Sequence, residues 1–245
     1  MIKRALHIIM PMAGEGSRFI KDGYTTPKPL IEVNGVPLFK RAIDSIEIDG
    51  VTMKYSFIVR QEHIDKYNID TQIKEYISEA NVFVVQQTTR GAVETCLIAS
   101  PAIDDTDAII VMDCDLEFRS KQFTDIITTA LEKDNIGGAL VSFNSNLPKY
   151  SYAEVDDNGY VIRTAEKEVI SNHALCGAYF FSTGKLFKYV ANNLLLEANF
   201  DKPEYYVSLL YNYVLKMGKQ VQLASLDGYY SYGTPEELKQ YTKNL

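Results

Sequence analysis

The chain is poor in cysteine and histidine and has no long apolar run. Cys96, Cys114 and Cys176 are odd in number and lack C-x-x-C spacing. Neither a disulfide framework nor a structural zinc site is indicated, and the reduced thiols of a cytoplasmic protein are expected. His7, His63 and His173 show no metal-ligand spacing, and no Ser/His/Asp arrangement can be argued from them; His7 stands inside an apolar run and is expected to be structural. No segment approaches the roughly 20 apolar residues a membrane span needs. Basic residues are in deficit: 25 Lys and Arg against 32 Asp and Glu give a formal charge of −7. That balance argues against a nucleic-acid surface, so an anionic ligand must bind at a local basic site. Lys3 and Arg4 before a short apolar stretch faintly imitate a signal peptide, but the stretch runs directly into a glycine loop. Repeats, linkers and low-complexity tracts are also missing.

What is present is an ordinary globular composition, 46% hydrophobic and 23% charged over 245 residues, enough for a full core in one α/β domain spanning 1–245. Short apolar runs alternate with amphipathic stretches of helix length. Strands are expected at Ala5–Met10, Tyr55–Val59, Asn81–Val85, Ala108–Met112, Gly138–Phe143 and Leu175–Phe181. Helices are expected at Leu38–Ile46, Ile69–Glu79, Gly91–Ala99 and Lys121–Lys133, with later ones near Lys185–Asn193 and Tyr205–Lys216. The βαβα order of the first half implies parallel pairing and a ligand edge at the carboxyl ends of the strands. Asp156-Asp157-Asn158-Gly159, between Ser151–Glu154 and Tyr160–Thr164, signals a hairpin. A change of character near residue 145 separates two halves of the domain.

The most informative stretch runs from Ile8 to Pro37. An apolar run ends at Met10, a loop with Gly14, Gly16, Ser17 and Arg18 follows, and Pro27-Lys28-Pro29-Leu30 brings back a lysine under proline constraint. Glycines let backbone N–H groups approach an anion, and Arg18 and Lys28 supply charge; the pattern is a phosphate cradle at a strand end. With G-S-R-F and P-K-P-L in register, the chain resembles the sugar-1-phosphate nucleotidyltransferase (pyrophosphorylase) superfamily, which includes phosphocholine cytidylyltransferase-like members. One departure is Pro11-Met12-Ala13, where many members have two alanines; Pro11 removes one N–H.

The resemblance implies a Rossmann-like layered sandwich with a mainly parallel mixed sheet, the GT-A-like nucleotidyltransferase fold. The nucleotide-binding half would be about 1–145 and the acceptor-binding half about 146–245. By the same resemblance Ala13, Gly14, Gly16 and Ser17 hold the nucleotide, and Arg18 and Lys28 neutralise its triphosphate. Gln87, or Gln86 beside it, would read the base edge, with Gly91 leaving room for the base. Asp115 takes the place of a metal-binding aspartate, with Asp113 as a second candidate ligand and Cys114 as a spacer, and the metal would be Mg²⁺. Glu166-Lys167-Glu168 resembles the family's E-K-P, in which lysine holds the acceptor phosphate and glutamate a hydroxyl. Gly177, in the strand that follows, would leave room for the acceptor. Ser231-Tyr232-Gly233-Thr234-Pro235 resembles D-x-G-T-P, but Ser231 stands where the family has its second metal-binding aspartate. Either Asp113 or Asp227 would then contribute, or Asp115 and the nucleotide would hold the metal. Thr234-Pro235 also starts a helix.

The expected reaction joins an NTP to a phosphomonoester with release of pyrophosphate, by in-line displacement without a protein nucleophile. Expected partners are an NTP and a phosphorylated small molecule, with no nucleic acid and no membrane; a homo-oligomer is kept open. Such products usually feed bacterial surface polysaccharide assembly. Tyrosines at 150, 152, 205, 206, 229, 230 and 232, with Glu154, Glu166 and Glu168, favour a cationic acceptor such as phosphocholine, although sugars also stack on tyrosine. Two rivals are a glycosyltransferase using Asp113-x-Asp115 and a non-catalytic nucleotide-sensing domain.

Overall fold

The computed structural model describes residues 4–133, 136–197 and 200–242, so Lys3 of the basic start lies outside the described residues. The first half runs β1 (Leu6–Met12), α1 (Ser17–Lys21), β2 (Glu32–Val33), β3 (Val36–Pro37), α2 (Leu38–Asp44), β4 (Met53–Arg60), α3 (Gln61–Tyr67), α4 (Ile69–Tyr76), β5 (Asn81–Val85), α5 (Ala92–Leu97), β6 (Ala108–Met112), β7 (Leu116–Arg119) and α6 (Lys121–Lys133). The second half adds β8 (Gly138–Asn144), β9 (Ser151–Val155), β10 (Val161–Glu166), β11 (His173–Phe181), α7 (Gly184–Leu195), α8 (Leu210–Lys216), β12 (Val221–Ser225), β13 (Gly228–Ser231) and α9 (Pro235–Thr242).

Nine strands form one mixed sheet. β5, β4, β1 and β6 are parallel neighbours in that order, as the βαβα order predicts. β11 then enters antiparallel to β6 and carries β8 on its other side, with β12 parallel to β8. The β9–β10 hairpin attaches to the first part of β11, and its turn is the expected one: Asp156 Oδ1 accepts from the N–H groups of Asn158 and Tyr160, both 2.9 Å.

β1 shows why the sheet is sandwiched. Leu6, Ile8, Met10 and Met12 enter one apolar cluster and Ile9 the other, the two-residue period of a strand buried on both faces. The first cluster is closed by Phe39 of α2, Ile73 of α4 and Phe123 of α6, the second by Val93 of α5, Phe187 of α7 and Tyr211 of α8. A smaller third cluster joins Phe19, Ile31, Val33, Leu38, Tyr232 and Leu238. It locks the glycine-loop helix, the Pro-Lys-Pro segment and α9 against one another, and so fixes the floor of the site described below.

Some elements differ from expectation. The helix expected from Tyr205 begins at Leu210, after a single 3-10 turn at Val207–Leu209, and α4 stops at Tyr76, because Ile77 has extended angles. The pair β7–β13 forms a separate two-stranded ribbon; its strands are only four residues long and carry too little alternation to be read from sequence. All three cysteines are free and buried. Among the described residues no helix is long and apolar enough to cross a membrane.

Candidate active site

The glycine loop leaves the carboxyl end of β1. Gly14 is exposed, and Gly16 has φ +64°, a left-handed conformation that lets the chain turn at once into α1. Phe19 then pins α1 into the third cluster. Pro27 and Pro29 hold Lys28 in a 3-10 turn, with Leu30 N–H donating to Pro27 O at 2.8 Å. The Lys28 ammonium forms an ion pair with Asp115. Burial works against that charge, but the carboxylates of Asp115 and Asp113 outweigh it and raise the Lys28 pKa.

Asp113 and Asp115 follow β6, at the same edge. Asp113 N–H donates to Gly177 O at 2.9 Å, at the point where the pairing of β11 is interrupted between Leu175 and Tyr179. Gly177 has φ +97°, and a Cβ there would lie 2.5 Å from Asp113 Oδ2 and 2.9 Å from Leu116 Cδ2. No other residue type fits that approach. Burial, and then the neighbouring charge of Asp115, push Asp113 up to about 7 against the pull of Lys28. The Cys114 thiol is buried and pushed up to about 12, consistent with an inert spacer.

The ribbon brings a further segment to Asp115. Ser231 pairs with Leu116, and Tyr232 N–H donates to Asp115 O at 2.7 Å. Ser231 Oγ donates to Glu237 Oε2 at 2.8 Å, and Lys149 Nζ donates to the other oxygen, Oε1, at 2.5 Å. Asp227 does not approach: it lies at the opposite end of β13 and accepts from Lys121 N–H at 2.7 Å, at the start of α6. The expectation that Asp227 replaces the missing aspartate is therefore corrected, because the ribbon register carries it away from Asp115.

On the other side, Glu166 is buried and accepts hydrogen bonds from Ser151 Oγ and, at 2.8 Å, from Ser208 Oγ. Lys167 has φ +56°, a conformation uncommon outside glycine, so the chain reverses there and the side chain leaves the hairpin. Its Nζ donates to Tyr206 Oη at 2.8 Å. That hydrogen bond raises the Lys167 pKa over the opposing effect of burial.

Two cavities meet across these groups. One of 460 Å³ is lined by Gly14, Gly16, Ser17, Arg18, Lys28 and Lys167, among others. The second, of 290 Å³, is lined by Tyr150, Glu166, Gly177, Tyr179, Tyr229 and Glu237, among others. Arg18, Asp113, Asp115, Tyr206 and Gly233 line both. The structure thus brings together Gly14, Gly16, Ser17, Arg18, Lys28, Asp113, Asp115, Glu166, Lys167 and Gly177.

It does not bring the whole expected set. Ala13 is buried beneath the loop, and its carbonyl accepts from Arg60. Gln87 is exposed and lines neither cavity. Gly91 also lines neither: it has φ +141°, and a Cβ there would lie 2.5 Å from the Tyr205 backbone nitrogen, so close chain packing requires a glycine at this helix start. Of the expected tyrosines, Tyr150, Tyr206 and Tyr229 reach the smaller cavity. Tyr152 and Tyr232 are core residues, Tyr205 stacks on Phe200 and Tyr230 packs on Tyr241. Glu154 is turned to Arg163. Sequence reasoning missed Lys149, Ser208 and Glu237; only Glu237 carried a signal, as the fourth residue of Thr234-Pro235-Glu236-Glu237, a helix-start pattern.

Residues 6–234 match the nucleotidyl transferase family, and the chain belongs to it. More particularly, it is similar to the bifunctional protein GlmU of Carboxydothermus hydrogenoformans, with 25% identity over 226 residues, covering 89% of this chain and 47% of the relative. It is also similar to the low-salt glycan biosynthesis nucleotidyltransferase Agl11 of Haloferax volcanii, 24% identical over 176 residues, 71% of this chain and 48% of the relative. The chain spans about half the length of these curated relatives. Among solved structures, the nucleoside-diphosphate-sugar pyrophosphorylase of Vibrio cholerae RC9 superposes with a TM-score of 0.83 at 25% identity, covering 96% of this chain and 99% of that one. The inositol-1-phosphate CTP transferase of T. maritima, 16% identical, shares the fold with a TM-score of 0.73, over 98% of this chain and 94% of that one.

Proposed function

We propose that this chain joins a nucleoside triphosphate to a phosphomonoester, giving a nucleotide-activated product and pyrophosphate. The observation that carries the reading is the placement of Lys28 and Asp115 as one ion pair where the glycine loop meets the end of β6, with both cavities opening on it. The larger cavity takes the triphosphate. Arg18, Lys28 and the backbone N–H groups of Gly14, Gly16 and Ser17 balance its charge, including the charge that builds on the leaving pyrophosphate. The smaller cavity takes the acceptor, whose phosphate reaches across the junction to Lys167 in the larger cavity and whose polar group meets Glu166. The protein contributes position and charge, and no side chain has to act as nucleophile.

The residues present fit a hard divalent cation, for which Mg²⁺ is proposed. Asp115 and Asp113 offer carboxylate oxygens at the junction of the cavities. Among the described residues no three His, Cys, Asp or Glu side chains form a ready cage, and Mg²⁺ is commonly held by one or two carboxylates together with substrate phosphates. Such an ion, when bound, would neutralise phosphate charge. Lys28 supplies a fixed positive charge at the same place, held between the glycine loop and Asp115.

Four tyrosines and Glu166 in the smaller cavity support an acceptor with a cationic group beside its phosphate, whereas the name of the Vibrio cholerae neighbour favours a sugar 1-phosphate. The Haloferax relative's name supports a place in glycan assembly. A screen of four NTPs with Mg²⁺ against sugar 1-phosphates, phosphocholine and phosphoethanolamine, read by pyrophosphate release, tests the reading. One productive pair is expected. Nucleotide binding without turnover on any acceptor would support a sensing domain, and sugar transfer from a nucleotide sugar would support a glycosyltransferase.

A further inference from the structure

We propose that Glu237 supplies a further carboxylate to the divalent-cation site beside Asp115, with Ser231 serving as its holder. The inference rests on the nucleotidyltransferase reading above and adds to it a residue that the sequence pattern does not assign.

Gly233 has no side chain. The point where its Cβ would stand lies 3.2 Å from Glu237 Oε2, 3.4 Å from Asp115 Oδ2 and 3.6 Å from Ser231 Oγ. Three oxygens from three different segments therefore face one small volume, and it opens on both cavities through Asp115 and Gly233. A side chain on residue 233 would fill it.

Glu237 is aimed there by the fold. Thr234 Oγ1 accepts from Glu237 N–H at 3.2 Å, the first half of a capping box at the start of α9. In the full box the glutamate would turn back to the cap amide. Here its carboxylate is held instead by Ser231 and Lys149, one donor on each oxygen, and the oxygen held by Ser231 is the one that faces Asp115. Leu238, the next residue, is buried in the third cluster and fixes the helix that carries Glu237. Of the carboxylates that line neither cavity, Glu117 pairs with Arg41 and Asp227 caps α6; the Asp115 oxygen that faces Glu237 also holds the Lys28 ammonium. A serine at the end of β13 and a glutamate in the first turn of α9 thus place a carboxylate where a longer reach is needed, because Ser231 itself has none.

The test is Mn²⁺ binding to the full chain, followed by the electron paramagnetic resonance of free Mn²⁺, with a non-hydrolysable NTP analogue present. Glu237→Gln, which keeps the shape and one of the two acceptor oxygens, is expected to weaken Mn²⁺ binding by about tenfold or more, and Ser231→Asp combined with Glu237→Gln to restore it. Lys149→Met, which removes a competing cation from Oε1, is expected to tighten binding, and decides alone if Glu237→Gln does not fold. Unchanged Mn²⁺ affinity in Glu237→Gln overturns the proposal, as does failure of the double variant to recover or unchanged affinity in Lys149→Met. If the wild-type chain with the analogue binds no Mn²⁺, the metal in the functional reading falls as well; if it binds and Glu237→Gln matches it, only the role of Glu237 is wrong.

Discussion

Arg18 is exposed to both cavities, while Lys28 is committed to Asp115. The two cations therefore differ in what their loss should do. Arg18→Ala removes a preorganised donor facing the leaving pyrophosphate and should lower kcat by about 10²–10³ with little change in stability. Lys28→Ala should lower kcat similarly, and it also leaves Asp113 and Asp115 without their shared counter-charge, so its melting temperature should fall too. Steady-state kinetics and thermal denaturation of both variants check this. Wild-type turnover in both would remove the loop from the triphosphate.

Strand β11 changes partner at Gly177: before it the chain meets β9 and β8, after it β6 and β8. The break is what lets Asp113 sit against the strand. Gly177→Ala meets both a left-handed φ and the Asp113 carboxylate, so it should destabilise by more than about 1 kcal/mol, which corresponds to roughly 2–4 °C for each kcal/mol in a chain of this size. It should also cost activity beyond that loss, because Asp113 must move. Calorimetry with kinetics at a temperature where the variant is folded decides it; a wild-type melting temperature would contradict the reading. Gly14, Gly16, Arg18, Lys28 and Asp115 were legible in the sequence because each motif is contiguous and chemically explicit. The same holds for β1 and β6, whose apolar runs are buried on both faces, and for the apolar runs of β4 and of the half-exposed edge strand β5. Glu237 and Lys149 were not legible, because their approach to Asp115 depends on the register of β7 with β13 and on how α9 departs. The packing role of Gly91 was hidden for a related reason: the sequence shows a glycine at a helix start but not the Tyr205 backbone lying against it.

The sheet as a whole carries one buried base. His7 is fully buried on β1, its Nε2 lies 2.8 Å from Ser56 Oγ, and its Nδ1 has no partner among the described residues. Burial lowers its pKa to about 4, with Asp107 opposing and Lys54 assisting. The folded chain therefore binds this proton later than the unfolded chain does, and stability present above pH 6.5 is lost as pH falls toward 4, by up to about 1.4 kcal/mol per unit. Denaturant titrations across that range should show the slope in wild type and a flatter one in His7→Leu; equal slopes would place the cause elsewhere. The proposed reaction is a displacement at the α-phosphorus across the junction of the two cavities. It is tested most directly by supplying the productive NTP labelled at that phosphorus with its acceptor and following the label. The label is expected in the nucleotide-activated product with an equal amount of unlabelled pyrophosphate; label remaining in a nucleoside diphosphate, or unreacted NTP with every acceptor, would contradict it.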